Sequence, residues 1–239
     1  MMKSIIAKII FTTVFLIIMT GVSFASHPLT SDDPGTNGTG GFLAELNTAY
    51  NITDKVFDFA PVFTLGIAAP LDIVFRPDTD LHTFNDPYID IKWRYYEDKV
   101  FSAALKPSFL LPFKTDFVAA LHMMFAQKII QKAETEVEKG KERGVESGSS
   151  GIEGLNIIED IAYDTSKNYQ AHIAICFEPV ESFIFVFNAG SENSFNSIFM
   201  IGGIIVEITE AIHYDIGYKY EIAKDTKASS LINGLSFAF

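Results

Sequence analysis

The sequence predicts an all-β chain, wound up and down into a closed antiparallel barrel that crosses a bilayer. Three observations predict it. Apolar and polar residues alternate along most of the chain after Gly41, the alternating runs are joined by short polar turns, and their apolar faces are rich in Phe, Tyr and Trp. A strand turns successive side chains to opposite faces, so a period of two means one apolar and one polar face. The runs are roughly ten residues long, the length a tilted strand needs to cross a bilayer. A soluble sandwich also alternates, but faces crowded with aromatics opposite mixed charge, Gly, Ala and Ser invert its plan, placing grease outside and polarity inside.

The chain has 239 residues, 22 of them Phe, and its one long apolar run is at the start. Lys3 precedes the almost wholly apolar Ile5–Thr20, and Ser23 and Ala25 follow as small residues. Basic start, apolar middle and small-x-small exit predict a secretory signal peptide over 1–25, with an uncleaved anchor helix as the alternative. Cleavage after Ala25 removes Lys3 and Lys8, so Lys+Arg drops from 18 to 16 against 30 acids and the net charge moves from −12 to −14. Such acidity excludes a duplex nucleic-acid binder, which needs a basic stripe. Cys176 is the single cysteine, so no internal disulfide staples the exported chain.

Residues 26–40 form an N-terminal segment, expected in the periplasm, and 41–239 the barrel. In its first run Phe42, Ala44, Leu46 and Tyr50 oppose Glu45, Asn47 and Asn51. The strongest alternation is at 86–96, where Ile89, Ile91, Trp93 and Tyr95 oppose Asp86, Asp90, Lys92 and Arg94. Along 212–221, Ile212, Tyr214, Ile216, Tyr218 and Tyr220 oppose His213, Asp215, Gly217, Lys219 and Glu221. Ile198–Thr209 and Leu155–Tyr163 fit less well, since both of their faces carry apolar residues. The turns "NITDK", "YEDK", "DTSKN", "EPVE" and "GSENS" punctuate the runs.

The predicted strands are 41–51, 55–66, 69–76, 85–96, 100–112, 116–126, 154–163, 168–178, 181–189, 196–209, 211–221 and 229–239. That makes twelve, with ten as the alternative. An even count puts both termini on the periplasmic side. The sixth is the ambiguous one. Phe117, Leu121, Met124, Phe125 and Ile129 sit at helical spacing, and dense charge follows Gln127. Either 116–126 is a strand followed by a charged helical and flexible insert over 127–151, or the whole stretch is an amphipathic helix.

The chemistry-bearing candidates are few. Cys176 and His172 lie on one strand face, as a nucleophile and base would, but are expected to stay apart. His27, Asp32 and Asp33 lack the spaced cluster of a metal site. Gly35, Gly38 and Gly40 lack the strand, helix and Lys of a phosphate loop. No catalytic, cofactor or metal residue is therefore assigned, and no enzyme is expected. What remains is a polar row predicted to line the lumen: Glu45, Asp72, Arg76, Asp86, Asp90, Lys92, Arg94, Lys106, Glu178, Asp215, Lys219 and Glu221. These charges either sort solutes in a water-filled channel or pair into a network that plugs a narrow barrel.

The sequence also resembles a known family. His27-Pro28-Leu29, Asp32-Asp33, Gly35-Thr36, Gly38, Gly40 and Glu45, with "DIKWRYYED", "ALKPSFLLPF", "FEPVESFIFVFNAGSEN", "HYDIGYKY" and "LINGLSFAF", are similar to the outer-membrane family catalogued as "MetA-pathway of phenol degradation", whose members are described as transporters. The resemblance runs from His27 to Phe239 and departs at 128–151, where a short turn is expected. It implies a barrel in the Gram-negative outer membrane, in contact with its lipid, that passes small hydrophobic or aromatic compounds. It also implies a C-terminal aromatic, Phe239, read by the barrel-assembly machinery. A non-conducting structural or adhesive barrel is the alternative.

Overall fold

The computed structural model describes residues 33–77, 86–112, 116–130, 154–180, 182–192, 194–223 and 226–239. The signal-peptide expectation for 1–25, residues 26–32, and 131–151 of the predicted insert lie outside them. Among the described residues every regular element is a strand. They are β1 (Phe42–Asn51), β2 (Val56–Ala68), β3 (Leu71–Arg76), β4 (Tyr88–Glu97), β5 (Phe101–Leu110), β6 (Ala119–Ile130), β7 (Gly154–Asp164), β8 (Tyr169–Val180), β9 (Phe183–Glu192), β10 (Ser197–Thr209), β11 (Ile212–Ala223) and β12 (Thr226–Ala238).

Each strand pairs antiparallel with its neighbour in sequence, and β12 returns to β1 to close the barrel. The closing seam runs in register from Leu43 opposite Ala238 to Asn51 opposite Ser230. At its end Phe42 and Phe239 exchange backbone hydrogen bonds at 2.9 and 2.8 Å, and their rings stack at 6.3 Å. Closure pairs every strand on both sides, which a bilayer demands because lipid satisfies no peptide group.

The side chains sort as the alternation predicts. Trp93, Phe185, Phe187, Ile173, Ile175, Ile216 and Tyr218 are exposed on the outside, where lipid covers them. Asp72, Asp90, Lys92, Lys106 and Asp215 are buried on the inside. Among the described residues five β-bulges interrupt the ladder, at Gly66/Ala68, Arg94/Tyr96, Lys128/Ile130, Phe177/Val180 and Glu207/Thr209. All five fall at the end of the barrel that carries the termini. A bulge sharpens twist and bends its strand, so these strands bend towards this rim.

The predicted insert needs a correction at its start: residues 127–130 belong to β6, and 119–130 is strand rather than amphipathic helix. The helical-looking spacing has a physical cause. Met124 points inward and is fully buried, while Leu121 and Met123 face out. Apolar residues on both faces of a strand imitate the spacing of one helical stripe.

The inner surface is uneven. Facing inward from β8 to β12 are Ala174, Cys176, Ile184, Val186, Phe199, Ile201, Ile205 and Ile232, which form one apolar cluster with Ile158 of β7 packed against it. Ile198–Thr209 and Leu155–Tyr163, the segments of weak alternation, are the strands that supply or flank this cluster.

Candidate functional site: the barrel lumen

The segment before β1 does not hang free. Residues 33–41 pass inside the barrel at the termini end, against the inner ends of β2, β3 and β4. The backbone N–H of Asn37 donates to both carboxylate oxygens of Asp72, at 3.0 and 3.2 Å. The Thr36 hydroxyl donates to the Ala69 carbonyl at 2.7 Å, and Lys92 Nζ to the Asp33 carbonyl at 3.4 Å. Gly40 N–H donates to the Gly66 carbonyl and Gly66 N–H to the Gly41 carbonyl, both at 2.8 Å. A methyl group on Gly66 would overlap the Gly38 carbonyl, so the strap lies against β2 only because position 66 has no side chain. Pro34 is fully buried among the barrel's inner residues.

Above the strap the charge lies chiefly on β3–β7 and on β11. Asp90, fully buried, accepts a hydrogen bond from Arg76 Nη2 at 2.9 Å, and its other carboxylate oxygen lies at ion-pair distance, 2.8 Å, from Arg76 Nε. The guanidinium thus holds the carboxylate through one charge-assisted hydrogen bond and one close ion-pair contact. The same guanidinium sits 4.8 Å over the Tyr88 ring. On β7, Asp160 lies between two imidazoles, with His122 Nδ1 at 3.2 Å and His172 Nδ1 at 3.9 Å from its Oδ2. His172 in turn meets Phe199 edge-on at 5.2 Å, and Lys219 Nζ lies 4.8 Å over that same ring. Lys219 also pairs with Glu221 at 3.1 Å. Arg94 reaches Glu97 at 3.0 Å and the Ala69 carbonyl at 3.3 Å.

The register places the remaining members of the predicted row. Glu45 is buried opposite Ser236, Lys106 opposite His122, and Asp215 opposite Gly234. Glu178 lies opposite Gly154 at the termini end, and Asp86 is buried just before β4. His172 and Cys176 share β8 but have different neighbours: His172 turns to Asp160 and Phe199, while Cys176 packs in the apolar cluster. Of the loop candidates, His27 and Asp32 lie outside the described residues, and Asp33 accepts from Gly35 N–H at 2.6 Å. Among the described residues no group of three or more His, Cys, Asp or Glu is set to hold a metal ion.

His122, Asp160, Asn156 and Phe199 were not singled out from the sequence. The signal for Asp160 and Asn156 was present, since they alternate with Ile157 and Ile161 along β7. Apolar Ile158 and Ala162 on the same inner face obscured it.

Outside the membrane-spanning strands, the Asp98 carboxylate caps the β4–β5 turn. It accepts the Tyr96 hydroxyl at 2.6 Å and the Val100 and Phe101 N–H groups at 2.8 and 2.7 Å. The Tyr96 hydrogen bond first, and the two backbone donors next, hold its acidity below the usual carboxylate range.

Two cavities open along the charged wall. One of about 150 Å³, at the far end, is bounded by Arg76, Tyr88, Ser108, His122, Asp164 and Gln170. The other, of about 230 Å³, lies at the termini end between the strap and β4–β7. The lumen is thus uneven: charged chiefly on β3–β7 and β11, apolar where β8, β9, β10 and β12 supply the cluster, and narrowed between its cavities by the Arg76–Asp90 and His122–Asp160–His172 contacts.

A closed twelve-strand wall, apolar outside and charged within, decides the fold. It is that of the outer-membrane β-barrels, and the solved structures it is similar to include porins. A KdgM porin superposes with a TM-score of 0.61 at 6% sequence identity, over 82% of this chain and 99% of that one. A KdgM porin in complex with disordered oligogalacturonate gives 0.59 at 7% identity, over 83% and 99%. A NanC porin gives 0.57 at 11% identity, over 81% and 98%. No family model matches the chain, and no curated protein matches it in sequence. The barrel belongs in the bacterial outer membrane, where a closed, strand-built wall is the standard spanning structure.

Proposed function

We propose that the protein is a passive outer-membrane channel for small organic molecules, with hydrophobic or aromatic compounds as its favoured cargo. The observation that carries this reading is the pair of cavities at opposite ends of one charged inner wall. They mark a route past the Arg76–Asp90 and His122–Asp160 contacts, opposite an apolar wall that suits the carbon body of a solute. Such a channel does no chemistry. Its driving force is a gradient, and its selectivity comes from pore width and lumen charge. The porin-like fold supports the reading, as does the resemblance to the phenol-degradation family. On this reading both termini are periplasmic, and Phe239, at the closing seam, is where the assembly machinery engages the barrel.

The buried strap and the inner apolar cluster favour a second reading, a non-conducting structural barrel. Purified protein in planar bilayers separates the two. Discrete single-channel steps that persist at symmetrical salt support the channel. A barrel shown to be folded by heat-modifiable gel migration, yet silent at every voltage, sinks it.

A further inference from the structure

We infer that the termini-end cavity is a binding site for a small carboxylate with a hydrogen-bond donor on the neighbouring carbon and a short apolar body. The inference rests on the channel reading and names the solute that its inner vestibule holds.

Three observations carry it. Asn156 is 6% exposed and lines the cavity, and its side-chain oxygen has no hydrogen-bond partner among the described residues. A buried amide oxygen without a donor is costly, so the site calls for a ligand O–H or N–H. Lys128, directly opposite Asn156 in the β6–β7 register, also lines the cavity, and its ammonium has no partner among the described residues. The carboxylates around the cavity are already engaged: Glu97 with Arg94, Asp98 with Tyr96 and two backbone N–H groups, and Asp33 with Gly35. Among the described residues, the cavity's side-chain groups left without a partner are one cation, Lys128, and one acceptor, the Asn156 oxygen. They sit about 5 Å apart at the backbone, the spacing of paired residues on adjacent strands.

A ligand that satisfies both presents its anion and its donor side by side, as a 2-hydroxy or 2-amino acid does. The rest of the cavity is set by Pro34, Ala126 and Ile158, which offer a dry surface to an aliphatic body. At about 230 Å³ the space suits a molecule below drug size.

The test uses the full chain in detergent, with calorimetric titration of 2-hydroxy-4-methylpentanoate, leucine and 4-methylpentanoate. Saturable binding is expected for at least one of the first two, and which one binds shows whether the donor is O–H or N–H. 4-Methylpentanoate, which lacks the donor, is expected to bind about tenfold weaker, the worth of one buried hydrogen bond. Lys128→Gln, at an exposed position that tolerates change, is expected to weaken the best ligand by a similar factor. Asn156→Leu abolishes the preference for the donor, with folding checked by heat-modifiable migration. Equal binding with and without the donor, no saturable binding, or an unchanged Lys128→Gln overturns the inference. Conductance of the same preparation keeps the two readings apart. Channel steps without binding overturn the site and leave the channel, while binding without steps does the reverse.

Discussion

The backbone N–H of Asn37 donates to both carboxylate oxygens of Asp72, at 3.0 and 3.2 Å, which ties the segment ahead of β1 to the inner wall. A hydrogen bond to a charged group contributes about 1.5–3 kcal/mol. Asp72→Ala is therefore expected to raise the population of strap-released barrels by roughly 10–100-fold. Planar-bilayer recordings check it: larger or more frequent openings are expected, with Asp72→Asn, which still accepts a hydrogen bond, in between. An unchanged open probability in Asp72→Ala would mean the strap does not limit the pore.

Gly190 makes room for the lumen's aromatic contact. A methyl group there would crowd His172 Cδ2 at 2.5 Å, Phe199 Cζ at 2.6 Å and the Ala171 carbonyl at 2.8 Å. Gly190→Ala is expected to cost about 1–3 kcal/mol through overpacking. The shift in the urea midpoint in lipid vesicles measures it, and the paired change Gly190→Ala with Phe199→Leu should recover part of the loss.

The outer wall sets a contrast. Phe187 is 51% exposed on the side that faces lipid. Phe187→Arg is expected to destabilise the barrel by up to about 2–4 kcal/mol, the cost of an arginine near the bilayer midplane. Reversible unfolding from vesicles reads this directly. A neutral result would show that this face is covered by something wetter than lipid.

The Arg76–Asp90 pair predicts ion selectivity. Asp90→Asn leaves the guanidinium uncompensated beside the far-end cavity. A change of about 1 kcal/mol in local electrostatic energy corresponds to roughly a fivefold shift in permeability ratio towards anions. Arg76→Gln shifts it the other way. Reversal potentials under a salt gradient check both signs.

The Asp98 cap predicts an acid limb of stability. Its folded acidity lies below the usual range, so its contribution is fully present above the unfolded value of about 3.9 and is lost as pH falls through the lower folded value. Denaturation midpoints measured from pH 6 to pH 2 should fall less steeply in Asp98→Asn than in the parent. Identical slopes would remove Asp98 from the account.

The strand pattern was legible because lipid and lumen impose opposite chemistries on alternate residues, and Ile89–Tyr95 shows this without ambiguity. Legibility failed where the inner face is itself apolar. Ile201, Ile205 and Phe199 face inward with the same chemistry as their outward neighbours Ile198 and Met200, and buried Met124 gave β6 a helical look. The polar row was written in single strands, but its partnerships were not. Arg76 with Asp90, and His122 with Asp160, are set by register between strands, which one strand's pattern does not contain. The strap's lodging depends on what Gly66 lacks, and an alternating pattern gives an absent side chain no weight.

The strap also bears on the order in which the barrel is made. Its partners Gly66, Ala69, Asp72 and Lys92 lie on β2, the β2–β3 turn, β3 and β4, within a short stretch of chain. The seam, by contrast, joins distant residues, Thr48 and Asn233 for example standing 185 positions apart along the sequence. Near contacts form before distant ones because less chain entropy is lost in making them. The lumen therefore acquires its occupant while the sheet is still open, and the last pairing to zip encloses a strap already seated.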